Sequence, residues 1–316
     1  VFYDSLLPEV AGSRIDAVSS LGYAMGYLGG GLLFLVNVLM TLNPQWFGLA
    51  DGAEAVRWSF LSVALWWGGF TLLTLKWVPE MEKEGSTSLI SGIGEGVRQV
   101  RETLKQARQM KDLWLFLLAY WFYIDGVDTI IRMAVDYGIS IGFESSDLIT
   151  ALLLVQFVGF PAALVFGRLG ERWGVRRSIY LTIGVYACVT LWGMHLEEKI
   201  EFYLLAAVIG LVQGGIQALS RSYYSRFIPL GQEAEFYGFY NMLGKFAAIL
   251  GPTLMGLSGL VARSWLAQSQ PELTAEQLGQ EAARWGIGSI LILFILGAWL
   301  FSRVDEERGR AAAGRS

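Results

Sequence analysis

The chain has 316 residues, 54% of them hydrophobic and 16% charged, with a formal net charge of −4 and a mean hydropathy of +0.46. So apolar a composition excludes an ordinary soluble globular domain, and no basic groove of the kind nucleic acid requires is visible. Eight stretches are apolar over the length that crosses a bilayer as a helix: 21–42, 58–77, 113–135, 148–167, 179–196, 202–219, 236–261 and 285–301. Strings such as GYAMGYLGGGLLFLVNVLM and SILILFILGAWLF are continuously apolar rather than alternating, so the spans are helices and not barrel strands. The expected class is an all-α integral membrane protein with eight transmembrane helices.

The opening string FYDSLLP (2–8) leads into a first span that carries Gly26-Tyr27-Leu28-Gly29-Gly30-Gly31. A similar string, YYSRFIP (223–229), precedes the seventh span; Tyr3 aligns with Tyr224 and Pro8 with Pro229, and an acidic linker and a Gly-rich helix follow each. An offset of six spans is what a duplicated six-helix unit shows, although strings this short also recur by chance. After the second span, the loop 78–111 places Ile93, Val97, Val100 and Leu104 at i, i+4, i+7 and i+11, opposite Arg98, Arg101, Lys105 and Arg108. It reads as an interfacial helix on anionic headgroups, with a calmodulin-like partner as the alternative.

The third span holds YIDGVDTIIRMAVD (123–136), in which Asp125, Asp128, Arg132 and Asp136 follow at i+3, i+4 and i+4 and share one face. A charge at the centre of a span costs about 2.5–3.5 kcal/mol on insertion scales, so each is expected to face a partner or a water-filled cavity. Asp128 and Arg132 are placed to neutralise each other within the helix. Asp125, nearest the middle, is then protonated or paired elsewhere. Tyr120, Trp121 and Tyr123 either stack on a solute or pack against lipid, and Gln156 in the fourth span is a weaker candidate for solute contact.

The segment GRLGERWGVRR (167–177) joins the fourth and fifth spans by a short basic turn. Cys188 is alone and reads as packing, with no disulfide possible within the chain; His195 stands at a span end and receives no catalytic role. In the sixth span Gln213, Gln217 and Arg221 recur at i+4 beside Gly210 and Gly214. The glycines permit close helix approach, and the amides serve either a polar solute or interhelical hydrogen bonds. Lys245 is the other deep charge, with Asn241 near it and Gly251-Pro252 beyond. The tail SRVDEERGRAAAGRS is polar and expected to be disordered. No metal cluster, nucleophile–base pair or phosphate loop is visible, so neither a catalytic role nor a cofactor is expected.

Orientation follows from Lys and Arg. Arg14 and the loops 78–111, 168–178 and 220–235 together with the tail hold seventeen; the intervening loops hold Lys199, Arg263 and Arg284. The alternation predicts eight spans with both ends cytoplasmic.

The string at Gly167, Glu171, Arg172, Gly174, Arg176 and Arg177 resembles the major facilitator superfamily loop motif G-x-x-x-D-R-x-G-R-[KR]-[KR], with Glu171 in place of Asp. Any short cytoplasmic loop is Arg-rich, but here the whole string matches. The Gly26–Gly31 run resembles the same superfamily's fifth-helix G-P-x-x-G-G pattern, with Tyr27 for Pro. Three further strings, SSLGYAMGYLGGGLL, LLAYWFYIDGVDTI and QALSRSYYSRFIP with EAEFYGFYNMLGKFAAILGP, resemble the vacuole effluxer-like family, known in fungi as autophagy-related vacuolar amino-acid exporters.

The resemblance implies that the spans are helices five to twelve of twelve and that the chain is a fragment lacking its first four. Residues 1–77 would end an N-terminal six-helix bundle, 78–111 would be the central cytoplasmic loop, 112–303 the C-terminal bundle and 304–316 the tail. It implies a secondary active transporter working by alternating access: a monomer in a bacterial plasma membrane that exports amino acids or similar small polar solutes, with possible proton coupling. The Glu171 loop would help latch the cytoplasmic side. Helices seven, eight, ten and eleven border the central cavity in that superfamily, so an Asp125–Lys245 encounter is expected. Asp125 would meet an ammonium, with Lys245 or Arg132 toward a carboxylate, or would itself carry the coupling proton. Against this, Asp128–Arg132 is merely an intrahelical bridge and Lys245 snorkels to headgroups. A membrane scaffold or receptor that retains the fold without transporting is the alternative function.

Overall fold

The computed structural model describes residues 2–78 and 89–314, and their side chains except at 2, 13, 89–95, 97 and 247. Lys83 and Arg315 of the charge pattern, and the side chains of Ile93 and Val97, therefore lie outside what is described. In chain order the helices are α1 (Phe2–Ser5), α2 (Leu7–Ala11), α3 (Ile15–Leu42), α4 (Gly52–Trp77), α5 (Leu89–Gln109), α6 (Lys111–Ser140) and α7 (Ser145–Trp173). There follow α8 (Val175–Gly193), α9 (Lys199–Ser225), α10 (Glu233–Ala247), α11 (Leu250–Ser269), α12 (Ala275–Ser289), α13 (Leu291–Ser302) and α14 (Glu306–Ala312), with no strand among the described residues.

Among the described residues, seven helical stretches are long and apolar enough to cross a membrane: α3, α4, α6, α7, α9, the α10–α11 stretch Glu233–Ser269 and the α12–α13 stretch Ala275–Ser302. The expected span 179–196 falls on α8, which is helical but is not among the seven. Its 19 residues include Arg176, Arg177, Ser178, Thr182 and Thr190, which dilute its apolar content.

The chain divides into two units, residues 28–97 and the remainder. In the smaller unit the Asp51 side chain caps α4 by accepting from Glu54 N at 2.8 Å, and Ser62 Oγ donates to Asn37 Oδ1 at 2.9 Å. Most of α4 is exposed, including Trp58, Phe60, Trp67 and Phe70, as a helix surrounded by hydrocarbon allows.

The larger unit is built around α6, whose Phe116, Tyr123 and Val127 are fully buried. Phe116 lies among Tyr223, Tyr224, Phe227 and Phe301, with ring centroids 5.2–6.1 Å away. The predicted close approach at Gly210 and Gly214 is present. A Cβ on Gly210 would stand 3.1 Å from the Val155 carbonyl of α7, and one on Gly214 would stand 2.9 Å from Ala163 and from the Tyr27 ring. Small residues at these crossings let α7 and α9 pack backbone to backbone, which lipid alone would not drive.

The tail departs from the sequence expectation. Residues 306–312 form α14, whose buried Gly309 lies against the Phe227 ring. Arg308 grips Asp112 at the start of α6 through two bonds, Nε to Oδ2 at 2.5 Å and Nη2 to Oδ1 at 2.6 Å, and Asp305 N donates to Asp112 Oδ1 at 2.9 Å. Composition signals disorder, but a bidentate Arg–carboxylate pair on a nearly buried Asp112 holds the segment. Asp112→Asn should therefore loosen α14. Limited trypsin cleavage after Arg303 and Arg310 is expected to speed up about tenfold, as loss of a charge-assisted pair implies, and an unchanged rate would show that α14 is held by other contacts.

Candidate functional site

Asp125 is fully buried in α6. Its Oδ1 accepts from Gly251 N at 2.9 Å and from Thr129 Oγ1 at 3.3 Å, while Oδ2 has no hydrogen-bond partner among the described residues. The backbone partner arises because the stretch 233–269 is broken between Ala247 and Leu250. Pro252 lacks an N–H and its ring would clash with the carbonyl of Ala248, so α10 cannot run on into α11. The first N–H groups of α11 are thereby unpaired within the helix, and a carboxylate is the natural cap for such an N-terminus. The expected Asp125–Lys245 encounter is not what the structure places here; Asp125 meets backbone instead.

Lys245 comes into the neighbourhood of Asp128. The cations bearing electrostatically on Asp128 are Arg132 and Lys245, yet none of the three is in an ion pair within 4.0 Å among the described residues. Asp128 is half-buried, whereas Arg132, Asp136 and Lys245 are exposed. The i, i+4 spacing thus does not close an Asp128–Arg132 bridge. Asp128 also bears on Tyr23 of α3, Tyr120 of its own helix and Tyr186 of α8. Tyr186 is fully buried and its hydroxyl has no hydrogen-bond partner among the described residues. On the α9 side, Tyr27 OH donates to Gln217 Oε1 at 3.3 Å, and Gln213 Oε1 is buried without a partner among the described residues. Gln156 is half-buried with no bond among the described residues. Tyr120 stacks on Tyr240 at 4.3 Å and Tyr123 donates to or accepts from Ser220 at 2.7 Å, so both face protein and not lipid.

A second charged cluster was not singled out from sequence. Arg221, 4% exposed, pairs with Asp4 of α1 at 2.7 Å, and its Nε and Nη2 donate to Ser19 Oγ and O at 3.0 and 2.9 Å. Its guanidinium lies 4.8 Å from the Tyr23 ring centre, and Asn241 Nδ2 donates to the other Asp4 oxygen at 3.0 Å. Asn241, one turn from Lys245 in α10, thus gives its side-chain bond to this pair. Beside it, Arg226 joins Asp16 of α3 at 2.9 Å to Glu306 of α14 at 2.6 Å. The available signal was Asp4 inside FYDSLLP opposite an Arg within a deep polar stripe.

In the loop 167–177, Gly174 has φ +90, a left-handed value that glycine adopts without strain and that lets α8 start directly. A Cβ on Gly167 would stand 2.8 Å from the Ser20 side chain of α3, so the helices touch there. Arg176 Nη2 donates to Ser302 O at 3.1 Å, capping the end of α13. Glu171, Arg172 and Arg177 are exposed without an ion pair among the described residues.

Residues 8–259 match the family model described as vacuole effluxer Atg22 like. The chain is 35% identical over 312 residues to an uncharacterized MFS-type transporter, YxiO, of Bacillus subtilis, covering 97% of this chain and 68% of the relative. The chain belongs to the vacuole effluxer Atg22-like family. It is also 28% identical to autophagy-related protein 22-1 of Penicillium rubens and 26% identical to autophagy-related protein 22 of Yarrowia lipolytica. Those alignments cover 76% and 94% of this chain but 43% and 51% of the relatives, so the Atg22-like chain spans about half the length of these fungal proteins. No solved structure matches it. With seven stretches able to span, the Atg22-like chain is a multi-pass integral membrane protein. The family match includes Asp125, Asp128, Arg221, Arg226 and Lys245 and stops before α12.

Proposed function

We propose that this Atg22-like chain works in secondary transport, carrying a small polar solute across the membrane by alternating access, with the solute held between Asp128 and Lys245. The observation that carries the reading is the half-buried Asp128 of α6, with Lys245 and Arg132 as neighbouring cations and no ion pair closed among them. Charges inside a span that are left unpaired by protein are matched by a ligand or by water. A zwitterion suits the arrangement: its ammonium toward Asp128 and its carboxylate toward Lys245 or Arg132, with Gln213 Oε1 and the Tyr186 hydroxyl, unpartnered among the described residues, as further partners. Amino acids fit that description, and the family's description as vacuole effluxer supports outward movement from a compartment. Asp125, capping α11, would hold the break in α10–α11 and so set where Lys245 stands; it is also the group through which a proton would act. The helix numbering five to twelve and the placement in a bacterial plasma membrane belong to the same reading. The Arg226–Asp16 and Arg221–Asp4 pairs would close one end while the other is open, taking the latching role first expected of Glu171.

Counterflow in liposomes with the complete protein tests this. Asp128→Asn and Lys245→Gln are each expected to lower exchange of a zwitterionic amino acid at least tenfold, the loss of about one charge-assisted contact, while leaving the melting temperature in detergent unchanged. Normal exchange in both variants would remove the site. An absence of counterflow in the unaltered protein across a broad amino-acid panel would remove amino acids as the solute.

A further inference from the structure

We propose that the outer face of α5 is a docking surface for anionic phospholipid headgroups, a role separate from solute handling. The described part of α5 has three sectors. One packs inward: Thr103 and Ala107 are buried, and Gln99 hydrogen-bonds Glu235 at the start of α10. The second carries Val100, 42% exposed, and the half-buried Leu104. The third carries Arg101, Lys105 and Arg108 at i, i+4 and i+7, all exposed and none in an ion pair among the described residues. The exposed acid on the described part of this stretch, Glu102, lies 3.8 Å from Arg98 and is in no ion pair with the three cations among the described residues.

The depth of this face follows from its connection. Met110 alone separates α5 from α6, a membrane-spanning helix that begins at Lys111. Arg108 lies 5.3 Å from the ring centre of Trp114 in the first turn of α6. Tryptophan at a span end marks the headgroup level, so the three cations stand where lipid phosphates are. Val100 and Leu104, next to them around the helix, then face the acyl boundary, which is how an amphipathic helix lies in a leaflet. An acidic protein that wraps a basic helix needs most of the helix circumference. Here the Thr103–Ala107 side is already occupied, whereas a leaflet needs only the side left open. Charge complementarity therefore favours a flat anionic surface over a wrapping partner.

The test is native mass spectrometry of the full chain, delipidated and titrated with phosphatidylglycerol or phosphatidylcholine. The unaltered protein is expected to prefer phosphatidylglycerol. Each cation near an anionic surface contributes about a fivefold preference, so R101Q/K105Q/R108Q should lose on the order of a hundredfold while binding phosphatidylcholine as before. Lys105→Gln alone should lose about fivefold, which keeps the test open should the triple variant not fold. No preference in the unaltered protein, or a preference that survives the triple substitution, would overturn the proposal. So would calcium-loaded calmodulin binding to the protein in phosphatidylcholine discs with loss of that binding in the triple variant, which would assign the face to an acidic protein.

Discussion

Replacing Arg221 with methionine is expected to destabilise the protein by about 3–5 kcal/mol, the cost of leaving a buried ion-pair partner uncompensated. Arg221 is 4% exposed and its bonds reach two other segments: Asp4 of α1, and Ser19 near the start of α3. With the guanidinium gone, Asp4 keeps Asn241 but loses its counter-ion, and the Ser19 carbonyl loses its donor. The penalty comes from stranding these groups more than from losing the pair's own attraction. Asp4→Asn in the Arg221→Met background should therefore recover 1–3 kcal/mol of the loss, about the coupling usual for contacting residues. Thermal unfolding of the purified single and double variants in one detergent gives both numbers. Strict additivity would show that Asp4 and Arg221 are stabilised independently, and an unchanged midpoint for the single variant would show that the pair is not closed in solution.

The second large effect is expected at the break between α10 and α11. A Cβ on Gly251 would overlap Thr129 Oγ1 and stand 2.8 Å from Asp125 Oδ1, so Gly251→Ala has to push α11 away from α6. Overpacking of this kind costs about 3 kcal/mol, and it also pulls Gly251 N out of reach of the cap. Thr129→Ala removes the nearer obstacle, and the double variant should regain part of the loss. Asp125→Leu attacks the same contact from the other side: it leaves Gly251 N–H buried without an acceptor, at about 1–3 kcal/mol, whereas Asp125→Asn keeps an acceptor and should cost less. Melting midpoints of these variants order them as Asp125→Asn mildest. Should Asp125→Asn prove as damaging as Asp125→Leu, the negative charge itself, and not the hydrogen bond, would be what holds α11.

The two effects mark where sequence reasoning reached and where it stopped. Apolar run length identified most of the spans, because a bilayer imposes a minimum length on any helix that crosses it. It does not decide α8, a helix of 19 residues whose polar groups keep it out of the seven stretches that length and composition mark as able to cross. The 3.6-residue period put Asp125, Asp128 and Arg132 on one face and predicted the amphipathic α5, since both are properties of a single helix. The glycines at 210 and 214 signalled close packing because nothing else at those positions could permit it.

What the period cannot supply is the identity of a partner on another helix. Asp125 meets a backbone N–H 126 residues away, and Arg221 meets a carboxylate 217 residues away. Such pairings depend on helix rotation and on which helices are neighbours, and neither is encoded in local spacing. The span 236–261 reads as one helix; the structure breaks it before Pro252, and only the packing of α6 against α11 showed which side chain takes up the freed N–H. Likewise the polar composition of 304–316 suggested disorder, and the carboxylate of Asp112, distant in sequence, gave that segment a helix to dock. Sequence alone determined the membrane class, the family and the helix faces, because each rests on composition or local order. The tertiary structure alone decided which charges are paired by protein and which, like Asp128 and Lys245, are in no ion pair among the described residues.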